Sequence, residues 1–117
     1  MSRYNRRNKY GNQRTELDGI IFDSRAEARR YAELVLLQKA GEISDLEMQK
    51  AYVLQPSFFD KAGKRVPAIK YYADFCYITK DGEQIIEDVK SPATRNNSTY
   101  KLKKKMMAFQ GNEITEV

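Results

Sequence analysis

Three charged side chains in one short stretch could support metal-dependent hydrolysis. Asp74, Asp88 and Lys90 lie in a predicted β-hairpin whose two apolar runs meet at the loop 80–82. If Gly82 takes the left-handed position that a three-residue loop of this kind requires, Asp74 lies directly opposite Asp88. Opposed residues share a face with Cβ atoms about 4.5–5.5 Å apart, and like charges so placed repel each other. The pair therefore needs a cation, which is either Lys90 or a divalent metal ion.

Two alternatives to this arrangement stay open. A two-residue Asp81-Gly82 turn would slip the ladder by one residue, and Asp88 would then point to the other side of the sheet. We favour the three-residue loop because it places both Asp88 and Lys90 on the face that carries Asp74. Alternatively, Asp88 and Lys90 form an ordinary ion pair on the solvent face of an edge strand.

The residue types that the chain lacks narrow the chemistry. It has no histidine and a single cysteine, Cys76. These counts exclude Ser-His-Asp and Cys-His catalysis, histidine-ligated metal sites and an internal disulfide. Catalysis, if present, must use carboxylates, lysines, tyrosines and water.

The charge of the chain predicts a polyanionic partner. The 117 residues carry a net charge of +5 with a pI near 9.3, and basic residues concentrate towards both ends, which together favour nucleic acid. The residues predicted to contact it are Arg3, Arg6, Arg7, Arg95, Lys101, Lys103, Lys104 and Lys105.

The length predicts one domain over 14–117, preceded by a flexible basic arm over 1–13. The chain has no apolar run of about 18 residues and no signal-peptide pattern. A cytoplasmic protein without a membrane partner is therefore expected.

A helix is predicted to bring an acid to the hairpin. A short hairpin at Asp18-Gly19 leads into Ser24, a good N-cap, and Gly41 is the expected C-terminal stop. Glu27 completes a capping-box pattern with Ser24, and its position borders the apolar face of the helix. Glu27 therefore either caps the helix only or also faces the hairpin.

The remaining elements predict an α+β fold. Strands are expected over 43–54, 68–78 and 84–90, with a wide hairpin tip near Gly63 and a loop over 91–97. One face of the first strand is predicted to hold Leu46, Met48, Tyr52 and Leu54. A second helix begins at Ser98 as its N-cap, with Leu102, Met106 and Phe109 as its apolar side, and 112–117 form a final strand parallel to the meander.

This order of elements, with an acid on the first helix, Asp74 on the second strand and Asp88-x-Lys90 on the third, resembles the PD-(D/E)XK nuclease superfamily. The segments 11–49, 68–77, 85–90 and 102–105 resemble more closely a small phage-borne endonuclease-like family, catalogued as a domain of unknown function, with resolvase-like relatives. The resemblance implies a restriction-endonuclease-like αβββαβ core, a three-strand meander plus a final strand flanked by two helices.

The resemblance also implies the site. Asp74, Asp88 and Lys90 match the motif that names the superfamily, although Ala73 stands where its proline is expected. Glu27 matches the helix-borne acid of the resolvase-like branches, and Gln49 matches a glutamine that some branches place on the first strand. Glu27, Asp74 and Asp88 would bind Mg²⁺ or Mn²⁺, and these acids with Lys90 would be catalytic. The neighbouring Glu87 is expected on the opposite face and is left out.

Two functions of different classes follow. The first is a metal-dependent DNA endonuclease, with branched DNA or Holliday junctions as a subcase by analogy. A homodimer is compatible with that activity, since cutting both strands of a duplex takes two active sites. The second is a non-catalytic nucleic-acid-binding or nuclease-accessory protein that keeps the fold.

Overall fold

The computed structural model describes residues 14–117; the predicted arm over 1–13, with Arg3, Arg6 and Arg7, lies outside them. The elements in chain order are β1 (Thr15–Leu17), β2 (Ile20–Phe22), α1 (Arg25–Lys39), β3 (Ile43–Gln55), β4 (Phe58–Phe59), β5 (Arg65–Val66), β6 (Ile69–Thr79), β7 (Gln84–Asp88), α2 (Pro92–Arg95), α3 (Ser98–Phe109) and β8 (Ile114–Glu116). The protein is of the α+β type. Over residues 14–117, no helix has the length and apolarity needed to cross a membrane.

The central sheet has four strands in the order β3-β6-β7-β8. Strands β3, β6 and β7 form an antiparallel meander, and β8 joins β7 in parallel after a crossover through α3. A parallel neighbour requires such a crossover. The predicted order of helix, three-strand meander, helix and final parallel strand is confirmed.

The two long helices cover opposite faces of this sheet. Leu34 of α1 clusters with Phe75 and Tyr77, whereas Met107 of α3 clusters with Cys76. Neighbouring residues on a strand point to opposite faces, so Cys76 and its neighbours divide the core into two layers. Each layer anchors one helix against the strands that carry the candidate site.

The ends of α1 are fixed by local hydrogen bonds, as predicted. The Ser24 hydroxyl accepts the Glu27 N–H at 3.1 Å. At the other end, Gly41 has φ +79, and it and Glu42 donate their N–H groups to carbonyls of the last turn. This is a Schellman motif, which a glycine makes accessible. The first turn of α1, with Glu27, is thereby held at a defined distance from the sheet.

The apolar side predicted for α3 is correct for Met106 and wrong for Leu102 and Phe109. Met106 packs against the core next to the buried Tyr100 and Met107, whereas Leu102 is 57% and Phe109 92% exposed. Tyr100 can be buried because its hydroxyl donates to Glu116 at 2.6 Å, so this amphipathic residue decides the helix rotation instead of the aliphatic ones.

Three smaller differences are local. The N-cap of α3 is Asn97 and not Ser98, because the Asn97 side chain accepts the Tyr100 N–H at 3.0 Å. The predicted loop over 91–97 contains α2, which begins after the N-cap Ser91. Met48 is exposed, since register shifts in β3 break the simple alternation that the sequence suggested.

Candidate functional site

The hairpin between β6 and β7 has the three-residue loop predicted from the sequence. Cys76 pairs with Ile86, Thr79 donates its N–H to the Glu83 carbonyl at 2.8 Å, and Gly82 has φ +84. The alternative two-residue turn is thereby excluded. Continuing the ladder brings the strand positions of the two aspartates opposite each other.

Asp74 and Asp88 occupy facing positions on neighbouring strands, and their carboxyl groups lie close together. Asp88 is only 2% exposed, and Oδ2 of Asp74 accepts the Val89 N–H at 2.8 Å. Burial, the interaction with the Asp88 side chain and the negative charges of Asp88 and Glu27 raise the pKa of Asp74. A cation next to the two carboxyl groups would offset this repulsion.

Glu27 approaches this pair from the first turn of α1. Its carboxylate takes a hydrogen bond from the backbone of Asp23, which lowers the pKa, as does the charge of Lys90. Burial is the larger effect and, with the charges of Asp23 and Asp88, raises the pKa of Glu27 to about 7. Glu27 thus does more than cap the helix: it adds a third acid to the pair.

Lys90 is held on two sides. Its Nζ lies 3.3 Å from Oδ2 of Asp88 and 4.2 Å from the centroid of the Tyr100 ring, a cation–π distance. Tyr71 donates its hydroxyl to the same Asp88 oxygen. The lysine head group is therefore positioned by an aromatic face as well as by its counterion.

The structure also brings Gln49 to this site. Its Nε2 donates to Oδ1 of Asp74 at 3.2 Å. Gln49 has φ +54, a left-handed conformation that is uncommon for a residue with a side chain. This local irregularity of β3 turns the amide towards Asp74.

Within residues 14–117, no three Asp, Glu or Cys side chains are arranged so that they could hold a metal ion together. In this arrangement Asp74 accepts from Gln49 and Val89, and Asp88 accepts from Tyr71 and contacts Lys90. The donor types nevertheless fit a divalent ion, because hard carboxylate oxygens are what Mg²⁺ and Mn²⁺ prefer.

We expect the metal-free protein to lose stability as the pH rises from 5 to 8. Glu27, with a pKa of about 7 when folded against 4.5 otherwise, binds a proton in the folded state that the unfolded chain has released. Its contribution is present below about pH 4.5 and is lost as the pH rises through about 7. Asp74 acts in the same direction. Urea unfolding in EDTA at a series of pH values measures this slope.

Glu27→Gln should flatten that loss, whereas the exposed Glu83→Gln should leave it unchanged. If stability depends on pH in Glu27→Gln as it does in the wild type, the Glu27 carboxyl of the wild type titrates like a solvent-exposed one.

Glu87 lies on the opposite face, as expected, and forms a separate cluster. Arg30 of α1 binds it with two hydrogen bonds, from Nε to Oε1 at 2.8 Å and from Nη2 to Oε2 at 2.6 Å. The Tyr77 hydroxyl donates to Oε2 as well. Glu87 is 1% exposed, so this bidentate pair joins α1 to β7 beside the site.

The acids border a cleft of about 720 Å³ whose cations the sequence did not single out. Glu27, Asp74 and Lys90 line it together with the cations Arg14, Arg29 and Arg30 and the acids Asp23 and Glu33. Arg30 follows Glu27 by three residues, which puts it next to Glu27 on α1. That spacing is the sequence feature that could have identified Arg30. No sequence feature indicated Tyr71, because its hydroxyl comes close to Asp88 only when the strands pair in the sheet.

The basic residues predicted near the end of the chain fall into two groups. Arg95 and Lys104 contact Glu116, with Nε to Oε1 at 3.1 Å and Nζ to Oε2 at 3.0 Å. Lys103 is half-buried, whereas Lys101 and Lys105 are exposed. Only the exposed pair presents its full charge to solvent on one side of α3.

A family described as "Protein of unknown function (DUF1064)" matches residues 7–116 of the chain. No curated protein and no solved structure matches the chain.

Proposed function

Because the chain belongs to the DUF1064 family, whose description assigns no activity, we propose a function from its own residues: a metal-dependent endonuclease that hydrolyses phosphodiester bonds in DNA. One observation carries the proposal. Asp74 and Asp88 face each other on neighbouring strands, with Glu27 close by and Lys90 Nζ 3.3 Å from Oδ2 of Asp88. Arg14 and Arg29 line the same cleft as Glu27, Asp74 and Lys90.

The order of elements supports the same proposal. An acid on the helix before the meander, an aspartate on its second strand and Asp-x-Lys on its third are the pattern of the PD-(D/E)XK nucleases that the sequence resembles. We therefore assign the chain a restriction-endonuclease-like core. Ala73 in place of the motif's proline is compatible with this, since the aspartate carboxylate contributes the charge.

The carboxylates suit a Mg²⁺ or Mn²⁺ site. Asp74, Asp88 and Glu27 would hold the ion, whose positive charge would offset the repulsion between them. A bound divalent ion activates water and stabilises negative charge on a phosphate.

The protein's own groups then have distinct roles. Lys90, fixed between Asp88 and Tyr100, orients the attacking water and offsets charge that develops on the phosphate oxygens. The water oxygen forms a bond to phosphorus and gives up a proton to solvent, while the bond to the leaving sugar oxygen breaks and that oxygen takes up a proton from solvent. Gln49 and Tyr71 hold the two aspartates in position by hydrogen bonds.

The direct test is cleavage of supercoiled plasmid and of branched DNA with Mg²⁺, Mn²⁺ or EDTA. We expect cutting with either metal and none in EDTA. Melting temperatures measured with and without Mn²⁺ give a second readout, since an ion that binds only the folded state raises them. Neither cutting nor metal-dependent stabilisation would contradict the proposal.

A non-catalytic nucleic-acid-binding protein is the second candidate, and one observation favours it. Asp88 already accepts from Tyr71 and contacts Lys90 and Asp74, as a fully paired buried polar network does in a purely structural role. The same assay separates the two functions, because this candidate binds DNA without cutting it.

We expect Lys101→Ala with Lys105→Ala to weaken DNA binding equally for all sequences. Both side chains are exposed on α3. Losing two phosphate contacts should reduce the slope of log affinity against log salt by about two. Titrations at several salt concentrations in EDTA measure it. The matched control is Lys80→Ala, at a lysine that pairs with Glu42 at 2.8 Å. Equal slopes in all three proteins would place the DNA path away from this side of α3.

A further inference from the structure

The segment 56–67, which we call the tip hairpin, carries exposed aromatic side chains that the site does not use. It lies between Gln55 and Ile69, which form the last pair between β3 and β6. All residues from 56 to 65 are exposed, and Phe59 is 71% and Phe58 45% exposed. Two adjacent exposed phenylalanines on a projecting hairpin indicate a contact surface.

The pairing within the tip hairpin separates two faces. Phe59 pairs with Arg65 and Phe58 with Val66. Cross-strand partners share a face, and neighbours on a strand point to opposite faces. One face therefore presents an aromatic ring beside a guanidinium group, and the other presents two apolar side chains.

The only acid of the tip hairpin, Asp60, is hydrogen-bonded to the backbone of its own loop. Oδ1 of Asp60 accepts the N–H groups of Ala62 and Lys64, both at 2.9 Å. Asp60 also donates its own N–H to the Lys64 carbonyl at 2.9 Å. The loop is thus held by its own hydrogen bonds, with the exposed Lys61 and Lys64 left to face an approaching partner.

The tip hairpin and the candidate site are connected by one strand. Ile69, where the tip ends, is five residues before Asp74 on β6, which corresponds to about 17 Å of extended chain. At about 3.4 Å per base pair, a duplex in the cleft would reach the start of the tip within about five base pairs. One DNA molecule can therefore contact both.

We propose that the tip hairpin binds DNA at unpaired or unstacked bases, with Phe59 stacking on a base while Arg65, Lys61 and Lys64 contact the flanking phosphates. The inference rests on the proposed function for its choice of DNA as the polymer. Aromatic rings next to cations are the surface that single-stranded and distorted nucleic acids require. Lysine is depleted at protein interfaces, which disfavours a protein partner for so basic a tip.

The experiment compares two DNAs in EDTA with the full chain. One is a fully paired duplex, and the other has the same length with a small bubble that contains 2-aminopurine, whose fluorescence rises when it is unstacked from its neighbours. We expect Phe59→Ser to weaken binding to the bubble by about fivefold to about 150-fold and to leave the paired duplex unchanged. The fluorescence change caused by the wild type should be lost.

The control is Leu36→Ser, since Leu36 is an apolar residue of α1 with 67% exposure. It should behave as the wild type on both DNAs, and Phe59→Tyr should restore binding to the bubble. Mg²⁺-dependent cutting of paired DNA should persist in Phe59→Ser, which separates this inference from the proposed function.

Three results would overturn the inference. Phe59→Ser could bind the bubble as the wild type does, or could lose the bubble and the duplex equally. It could also convert a dimer into a monomer in sedimentation, which would make the tip a surface for a second copy. If the wild type neither binds nor cuts either DNA, this inference and the proposed function both fail.

Discussion

We expect Asp88→Asn to leave the fold in place and to lower the proposed Mg²⁺-dependent DNA cleavage by about a hundredfold to about a thousandfold, the scale on which loss of one charge-stabilising group slows an enzyme. The amide keeps the size of the side chain and can still accept from the Tyr71 hydroxyl. It removes the negative charge that lies 3.3 Å from Lys90 and next to Asp74. Binding of DNA in EDTA should hold or tighten, because one negative charge near the phosphates is gone.

Asp81→Asn is the matched control, since it makes the same chemical change at an exposed position in the loop of the same hairpin. It should cut DNA as the wild type does. Cleavage rates, circular dichroism and metal-free binding of the two variants measure the three expectations. Full activity in Asp88→Asn, in a preparation free of host nuclease, would disprove the mechanism even if DNA binding were established.

The second large effect concerns stability. Arg30→Met removes both hydrogen bonds to Glu87 and leaves a carboxylate that is 1% exposed with only the Tyr77 hydroxyl. Breaking a buried ion pair by removing one partner costs about 3–5 kcal/mol. Since the Arg30 side chain keeps 26% exposure, we expect the free energy of unfolding to decrease by an amount at the lower end of that range. The melting temperature should fall by roughly 10–20 °C.

Two controls show whether the uncompensated charge is the cause. Glu33→Gln removes the exposed partner of Arg30 at 3.1 Å and should change stability by less than about 0.5 kcal/mol. Arg30→Met combined with Glu87→Leu removes both charges and should recover most of the loss. If the double variant is as unstable as Arg30→Met, packing of the arginine stem and not charge explains the effect.

The parts of the fold that depend on local chemistry could be predicted from the sequence. Gly82 marks the loop whose length sets the register between β6 and β7, and Ser24 and Gly41 mark the ends of α1. These residues act within a few positions of themselves. The meeting of Glu27, Asp74, Asp88 and Lys90 follows from that register together with the position of α1.

The parts that depend on distant partners could not be predicted. The rotation of α3 is set by the contact between Tyr100 and Glu116, which belong to different elements. The burial of Glu87 depends on Arg30, 57 residues away in the chain. Hydrophobic periodicity indicates neither feature, because in both cases a polar group is buried through a hydrogen bond to a residue far away in the chain.

The irregular geometry of β3 has a consequence beyond the site. This strand is one edge of the central sheet, and an edge of 13 residues would ordinarily be a template for strands from other molecules. Asp45 and Gln49 have positive φ, and the register shifts twice along the strand. Bulges of this kind interrupt the regular row of N–H and C=O groups that an incoming strand needs. The irregular backbone of β3 should therefore also hinder edge-to-edge association of the folded protein.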